Sequence, residues 1–304
     1  MIDVAVIGAG TAGLTAAVYA VRAGVTVKVF EKSMYGGQLG NTSEIENFPG
    51  ITKISGPDLA AQMYDWSQAH SVEVVFEEII SVDFSASGYK KIITSGGEYY
   101  AKAVIIAAGV ERRKLAVSGE ERLSGRGVSY CATCDGAFFK DKTVAVVGGG
   151  SSALEESEYL ANICKKVYLI HRRDKFRGEK ALAESVIRNP KIEIIYNAKV
   201  IAINGESSVE NIDISSDHGR SSISLSAVFV SIGMEPKNGA FGGVLVDESG
   251  FIVADEDCRT NIEGVFVAGD ARTKSVRQIV TAAADGAVSG KFAAEFAIRE
   301  GEMQ

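Results

Sequence analysis

The stretch Val4-Ala5-Val6-Ile7-Gly8-Ala9-Gly10-Thr11-Ala12-Gly13-Leu14 has a counterpart later in the chain, Val144-Ala145-Val146-Val147-Gly148-Gly149-Gly150-Ser151-Ser152-Ala153-Leu154, in ungapped register 140 residues downstream. Each copy is a short apolar run, the pattern of a strand buried in a parallel sheet, followed by a glycine-rich turn and a helix-forming segment. In the first copy Gly8 allows the tight bend, Gly10 lets the backbone approach a pyrophosphate, and Gly13 lets helix and strand pack closely. The helix that follows reads as Leu14 to Ala23, and its N-terminus attracts phosphate charge. A second apolar strand, Val25 to Phe30, ends in Glu31, and an acid there accepts hydrogen bonds from a ribose diol that carries no 2′-phosphate. The competing reading is a glycine-rich loop with a chance Glu, and it leaves the order strand, turn, helix, strand, acid unexplained. At the 140-residue spacing Glu31 aligns with His171. The second copy has exchanged the acid for His171-Arg172-Arg173-Asp174-Lys175-Phe176-Arg177, whose basic groups suit a 2′-phosphate. A solvated charge cluster is the alternative. The two copies are therefore expected to bind different dinucleotides, the first a free-diol species such as FAD and the second NADPH.

Between the copies lies Tyr130-Cys131-Ala132-Thr133-Cys134-Asp135-Gly136. Two cysteines at this spacing can close and reopen a small disulfide, a two-electron switch. Half of a zinc site, or two inert thiols, would look the same in sequence. A structural zinc needs four ligands, and Cys164, Cys258, His70, His171 and His218 offer no second pair. Cys164 and Cys258 read as small buried hydrophobes.

With 304 residues, 46% hydrophobic and 23% charged, and a mean hydropathy of +0.09, the chain has the makings of a soluble globular protein of two domains. A net charge of −7 and a pI near 5.2 argue against nucleic acid or anionic membranes as partners. No segment approaches the roughly 20 apolar residues of a membrane span, and the first apolar run meets Gly8 too early for a signal peptide. The expectation is a cytoplasmic protein, where a Cys-x-x-Cys is more often catalytic than structural.

Elsewhere the patterns are those of an α/β chain. Gly36-Gly37-Gln38 through Pro49-Gly50 reads as a long loop, equally compatible with ligand contact and simple connection. Gly56 to His70 reads as a helix, and Val72–Phe76, Ile79–Phe84, Lys90–Ser95 and Tyr99–Ile106 as strands. The last closes on Ala107-Ala108-Gly109, residues small enough for a cofactor or for tight packing. A helix is predicted from Glu179 to Arg188, strands at Ile192–Ile195, Lys199–Asn204, Val209–Ser215, Ser221–Ser226 and Val228–Gly233, and a hairpin from Val244 to Val253. The strand Val265–Val267 runs into Ala268-Gly269-Asp270, where Asp270 either meets a ribityl hydroxyl or caps the next segment, and an Ala-rich helix begins at Gln278.

These motifs, with Glu44-Ile45-Glu46-Asn47-Phe48-Pro49-Gly50, Glu155-Glu156 and Arg277-Gln278, resemble the low-molecular-weight, bacterial-type thioredoxin reductases over essentially the whole chain. The resemblance implies two Rossmann-like three-layer domains, an FAD domain over 1–112 and 238–304 and an inserted NADPH domain over 113–237. It also implies a relay from NADPH through FAD to a Cys131–Cys134 disulfide and on to thioredoxin or a similar small dithiol protein. Cys134 would lie beside the flavin, Cys131 would attack the partner, and Asp135 would exchange protons. Gly8, Gly10, Thr11, Ala12, Gly13, Glu31, Gly37, Gln38, Asn47, Ala108, Gly109, Gly269, Asp270, Arg277 and Gln278 are carried over as FAD contacts. Gly148, Gly150, Ser151, Ser152, Ala153, Glu156, His171, Arg172, Arg173 and Arg177 are carried over as NADPH contacts. Many relatives have Asp or Asn at Ser151 and Thr at Ala108. A homodimer and a large rotation of one domain on the other, hinged near Glu111–Lys114 and Pro236–Gly239, belong to the same expectation. Relatives reduced by ferredoxin should lack the basic turn, and a non-catalytic redox sensor would leave Asp135 without a purpose.

Overall fold

A computed structural model of the chain describes residues 1–302 apart from Ser43, Ala86, Ser87 and His218. His218, one of the candidate metal ligands, thus lies outside the described residues. The chain divides into two compact units, Met1–Glu111 with Glu235–Gln304, and Arg112–Met234.

The first unit opens with β1 (Ile2–Ile7), α1 (Thr11–Arg22) and β2 (Val27–Phe30), and continues through α2 (Gly56–Ala69) and β3 (Glu73–Val75). It then runs through β4 (Ile79–Asp83), β5 (Lys90–Thr94) and β6 (Glu98–Ile106), and the chain leaves by β7 (Val110–Arg112). The second unit holds β8 (Val128–Ser129), α3 (Ala132–Asp135), β9 (Thr143–Gly148), α4 (Ser151–Ile163), β10 (Lys166–Ile170), α5 (Lys180–Arg188) and β11 (Ile192–Ile195). It continues with β12 (Lys199–Asn204), β13 (Asn211–Ser216), β14 (Gly219–Ser224) and β15 (Ala227–Ser231). The chain returns through β16 (Met234–Pro236), which pairs with β7, and the first unit is completed by β17 (Val265–Val267) and α6 (Ile279–Glu302).

Both units follow one plan. In the first, β3-β2-β1-β6-β17 is a parallel sheet, and β4, β5 and the start of β6 form an antiparallel meander. In the second, β11-β10-β9-β15-β8 is parallel, and β12-β13-β14 is antiparallel. Strand side chains alternate between faces, so each parallel sheet is apolar on both. Val4, Val6, Ala103 and Ile105 face the core built with the helices, whereas Ala5, Ile7, Val104 and Ile106 face the core shared with Val82 and Ile92 of the meander. In the second unit Val144, Val146 and Phe229 pack with Leu154, Leu160 and Val186 of α4 and α5, and Ala145, Val147 and Val228 pack with Val200, Ile212 and Ile214. This is the two-domain Rossmann-like architecture the motifs imply.

The Ala-rich composition of α6 has a steric reason. A methyl group at Gly286 would stand 2.4 Å from the Ala12 carbonyl oxygen, and one at Gly290 would stand 2.3 Å from that of Ala16. α6 therefore lies directly on α1. Two expectations change. α1 begins at Thr11 rather than Leu14, with Gly10 at its N-cap. The hairpin across Val244–Val253 is short: an antiparallel bridge, Val246 to Ile252, flanked by the Asp247 amide on the Phe251 carbonyl at 2.8 Å and the Val253 amide on the Leu245 carbonyl at 2.9 Å. There Asp247 Oδ1 accepts the amides of Ser249 and Phe251, each at 2.9 Å, and closes the turn.

Candidate active site

In the second unit Cys131 stands at the N-cap of α3 and Cys134 inside it, a short turn that brings their Cα atoms to 5.3 Å, and the two sulfurs are joined in a disulfide. The Asp135 amide donates to the Cys131 carbonyl at 3.1 Å and tightens the turn. Ser129, at the end of β8, reaches both ends of the motif. Its hydroxyl donates to Asp135 Oδ2 at 2.6 Å and accepts the Cys131 amide at 3.1 Å. Burial pushes the Asp135 carboxyl above the usual range, while the Ser129 hydrogen bond and the charge of Arg112 hold it back. Asp135 is thus a carboxyl of raised proton affinity next to the cysteine pair, a group able to exchange protons with thiolates.

Glu156, on α4, is a second such group. Burial pushes its carboxyl up to about 7, opposed by Arg112, Ser231 and the Ala132 backbone. It does not line the dinucleotide cleft of this unit; its surroundings are those of the cysteine motif.

That cleft, about 600 Å³, lies at the carboxyl ends of β9, β10 and β15. Every other predicted NADPH residue lines it: Gly148, Gly150, Ser151, Ser152, Ala153, His171, Arg172, Arg173 and Arg177. A side chain on Gly148 would meet the Ser231 carbonyl oxygen at 2.2 Å, whereas Gly150 faces open space. No side chain caps α4, which leaves its first amides to a ligand. His171 is buried, and its Nε2 pairs with the Lys175 carbonyl at 2.9 Å. Its ring lies so close to Gly149 that a methyl group there would come within 2.1 Å of Nδ1. His171 therefore shapes the turn, and the exposed Arg172, Arg173 and Arg177 carry its accessible charge. These residues fit a dinucleotide bearing a 2′-phosphate.

The first unit presents the companion arrangement. Gly8 (φ +107°) turns β1 into α1, and a methyl group there would strike the Ala107 carbonyl oxygen at 2.4 Å, while one at Gly10 would meet only Gly37 Cα, at 4.0 Å, and Gly109 has open space. Glu31 Oε2 accepts the Ala9 amide at 2.9 Å, which fixes the acid against the glycine turn. The loop after β2 folds back onto the same place, since the Gly36 amide donates to Ala9, a methyl group on Gly37 would stand 3.5 Å from Gly10 Cα, and Gln38 Nε2 donates to Val110. Asn47 and Gln278 are hydrogen-bonded at 3.1 Å. Gly269 abuts Ala12 and donates its amide to Asp285 Oδ2 at 3.0 Å. Asp285 also receives Arg272 and Lys274 at 2.9 and 2.7 Å. Arg277 stacks over Phe251 and donates to the Asp270 carbonyl. An uncapped helix, an open glycine and a fixed acid fit a dinucleotide with a free ribose diol.

A family model described as "Pyridine nucleotide-disulphide oxidoreductase" matches residues 2–286. The chain belongs to that family. Within the family, it is 44% identical over 298 residues to a thioredoxin reductase of Listeria innocua, covering 97% of this chain and 93% of that protein. It is 42% identical, again over 298 residues, to one of Treponema pallidum, covering 97% and 96%. The crystal structure of the Streptococcus pyogenes thioredoxin reductase superposes with a TM-score of 0.93 at 41% identity, covering 98% of this chain and 99% of that one. The resemblance carried by the sequence motifs is borne out.

Some residues that hold the two sites escape a sequence reading. Ser129 at the disulfide and Asp285 beside Gly269 in the first unit act through hydrogen bonds that leave no periodic mark. Arg112 does carry a signal, since Arg112-Arg113-Lys114 is a run of cations in an acidic chain. Among the described residues no cluster of His, Cys, Asp or Glu is placed to hold a metal ion, and no helix is long and apolar enough to cross a membrane.

Proposed function

We propose that this chain is an NADPH-dependent, FAD-containing reductase of the disulfide in thioredoxin or a closely similar small protein. The observation that carries the reading is the Cys131–Cys134 disulfide with Asp135 beside it, in the same unit as a dinucleotide cleft rimmed by arginines. FAD would be held by the glycine turn, Glu31 and the Gly269–Asp270 segment of the first unit, and NADPH by the cleft of the second. When bound, FAD supplies a two-electron carrier between a nicotinamide and a disulfide. In the reduced pair the Cys131 thiolate attacks one sulfur of the partner's disulfide and the other leaves as a thiolate. Cys134 then attacks the Cys131 sulfur of the mixed disulfide, restoring the Cys131–Cys134 bond and releasing the second partner sulfur. Asp135 gives and takes the protons that these thiolates need. The protein works in the cytoplasm as a homodimer.

Cys131→Ser tests whether the electrons leave through this pair. The variant is expected to bind FAD and accept electrons from NADPH, yet to reduce no thioredoxin. Thioredoxin reduction at the wild-type rate would show that the Cys131–Cys134 pair does not carry the electrons to the partner.

A further inference from the structure

Ser129 is only 5% exposed, and its hydroxyl is the middle of a short chain of hydrogen bonds. The Cys131 amide donates to it at 3.1 Å, and it donates to Asp135 Oδ2 at 2.6 Å. A hydroxyl has one proton to give. The Cys131 carbonyl, also in reach, is farther away at 3.3 Å, so the proton is committed to the carboxylate. Accepting an N–H also polarises the hydroxyl and strengthens the bond it donates. The two oxygens of Asp135 are therefore unlike. Oδ2 is held by Ser129, whereas Oδ1 is shielded from solvent and has no hydrogen-bond partner. A proton placed on Oδ2 would compete with the serine proton along one short line, so the carboxyl takes its proton on Oδ1.

We propose that Ser129 is a positioning residue for the redox pair, one that holds Asp135 by Oδ2 and makes Oδ1 the oxygen that exchanges protons with the cysteines. The proposal rests on the reading of Cys131 and Cys134 as the pair that reduces a partner's disulfide. In the closing step a proton passes from the Cys134 thiol to Asp135 Oδ1, the Cys134 thiolate attacks the Cys131 sulfur of the mixed disulfide, and the partner's sulfur leaves as a thiolate with the bonding pair. Burial raises the proton affinity of Asp135, and the Ser129 hydroxyl, then the charge of Arg112 on β7, lower it. Also around α3 are Glu156 of α4, on the Ala132 amide, Tyr159 of α4, whose ring would stand 3.1 Å from a methyl group on Gly136, and Tyr130, which is bonded to Glu120. By favouring the carboxylate form, the hydroxyl sets how far the pH can fall before Asp135 stops accepting the thiol's proton.

The test uses the full-length, FAD-loaded protein with Ser129→Ala and, separately, with Ser129→Thr, which keeps the hydroxyl. Titration of the Asp135 carboxyl is followed by carbon-13 NMR of aspartate-labelled protein, the resonance being assigned by its loss in Asp135→Asn. Single-turnover transfer from NADPH-reduced protein to oxidised thioredoxin is measured over the same pH range. Losing a hydrogen bond to a charged group corresponds to a shift of about one pH unit. Asp135 in Ser129→Ala should therefore titrate about one pH unit higher than in wild type, and the acid limb of thioredoxin reduction should move up with it. Flavin content and flavin reduction by NADPH should not change, and Ser129→Thr should keep the wild-type titration. An unmoved Asp135 titration in Ser129→Ala, a Ser129→Thr titration that follows Ser129→Ala, or an acid limb that stays in place while the carboxyl shifts would overturn the proposal and leave the function intact. Loss of the fold or the flavin in Ser129→Ala would do the same, by showing that the hydroxyl is structural. No transfer to thioredoxin from the wild-type protein at any pH would overturn the function and this inference with it.

Discussion

Glu155 and Glu156 are neighbours in sequence, but Glu155 is exposed and Glu156 has a carboxylate oxygen shielded from solvent with no hydrogen-bond partner. Burial holds the proton of Glu156 up to about 7, against an ordinary value of 4.5. The folded protein therefore binds a proton that the unfolded chain has already lost. The resulting stabilisation is complete below the unfolded value and disappears as pH rises through the folded one. Glu156→Gln cannot ionise, so its stability relative to wild type should rise by about 2 kcal/mol between about pH 5 and pH 8. Urea unfolding at the two pH values measures this, and a difference that does not change with pH would show that the carboxyl is ionised throughout. At this scale the sequence was informative about chemistry and poor about surroundings. The Cys-x-x-Cys spacing pointed to the disulfide, but nothing in the sequence marks Ser129 as its bridge to Asp135 or separates Glu156 from the cleft, because those contacts depend on how α3 packs on α4.

At the scale of the element, the glycine turns divide into positions set by packing and positions left open. Gly13 lies in α1, and a methyl group there would stand 1.8 Å from the Gly8 carbonyl oxygen, whereas Gly150 has no atom within 4 Å. Gly13→Ala is expected to cost about 3 kcal/mol by overpacking, visible as a lower thermal midpoint and reduced FAD content. Gly150→Ala should leave stability within about 0.5 kcal/mol while weakening NADPH binding, because its methyl group projects into the cleft. Equal stability losses at the two positions would mean that both glycines serve packing alone. The elements most legible in sequence are those with strong local signals. Ile192–Ile195 and Lys199–Asn204 occur with the predicted bounds, and α2, predicted to end at His70, ends one residue earlier, behind its Ser55 cap. The Val244–Val253 hairpin is present but short, a bridge with two flanking backbone bonds, because the Asp247 carboxylate takes the amides of the turn, a local hydrogen bond that alternation of apolar residues does not reveal.

At the scale of the molecule, two units of one plan differ in charge at one corresponding place, Glu31 at the end of the second strand of one and the arginine turn there in the other. That repeat was legible because it is a gap-free register of glycines and strands. The antiparallel layers that complete each unit share no such register; their strands are legible one by one, at Ile79–Phe84, Lys90–Ser95, Lys199–Asn204, Val209–Ser215 and Ser221–Ser226, and the structure supplies the pairing. The charge difference predicts nucleotide choice. Replacing both Arg172 and Arg173 by Ala should weaken NADPH binding by about 100-fold, the loss of two charge-assisted phosphate contacts, and change NADH binding by less than about threefold. Equal losses for the two nucleotides, measured by titration, would make the turn a solvated charge cluster.

If electrons enter from NADPH and leave through Cys131 and Cys134 to a thioredoxin-like disulfide, the most direct test is anaerobic. NADPH, or separately NADH, is added to the flavin-loaded protein, loss of the oxidised flavin's visible absorption is followed, and oxidised thioredoxin is then supplied. The relay predicts rapid bleaching with NADPH, little with NADH at the same concentration, and recovery of the absorption when thioredoxin is added. No bleaching with NADPH, or bleaching that thioredoxin does not reverse, would contradict it.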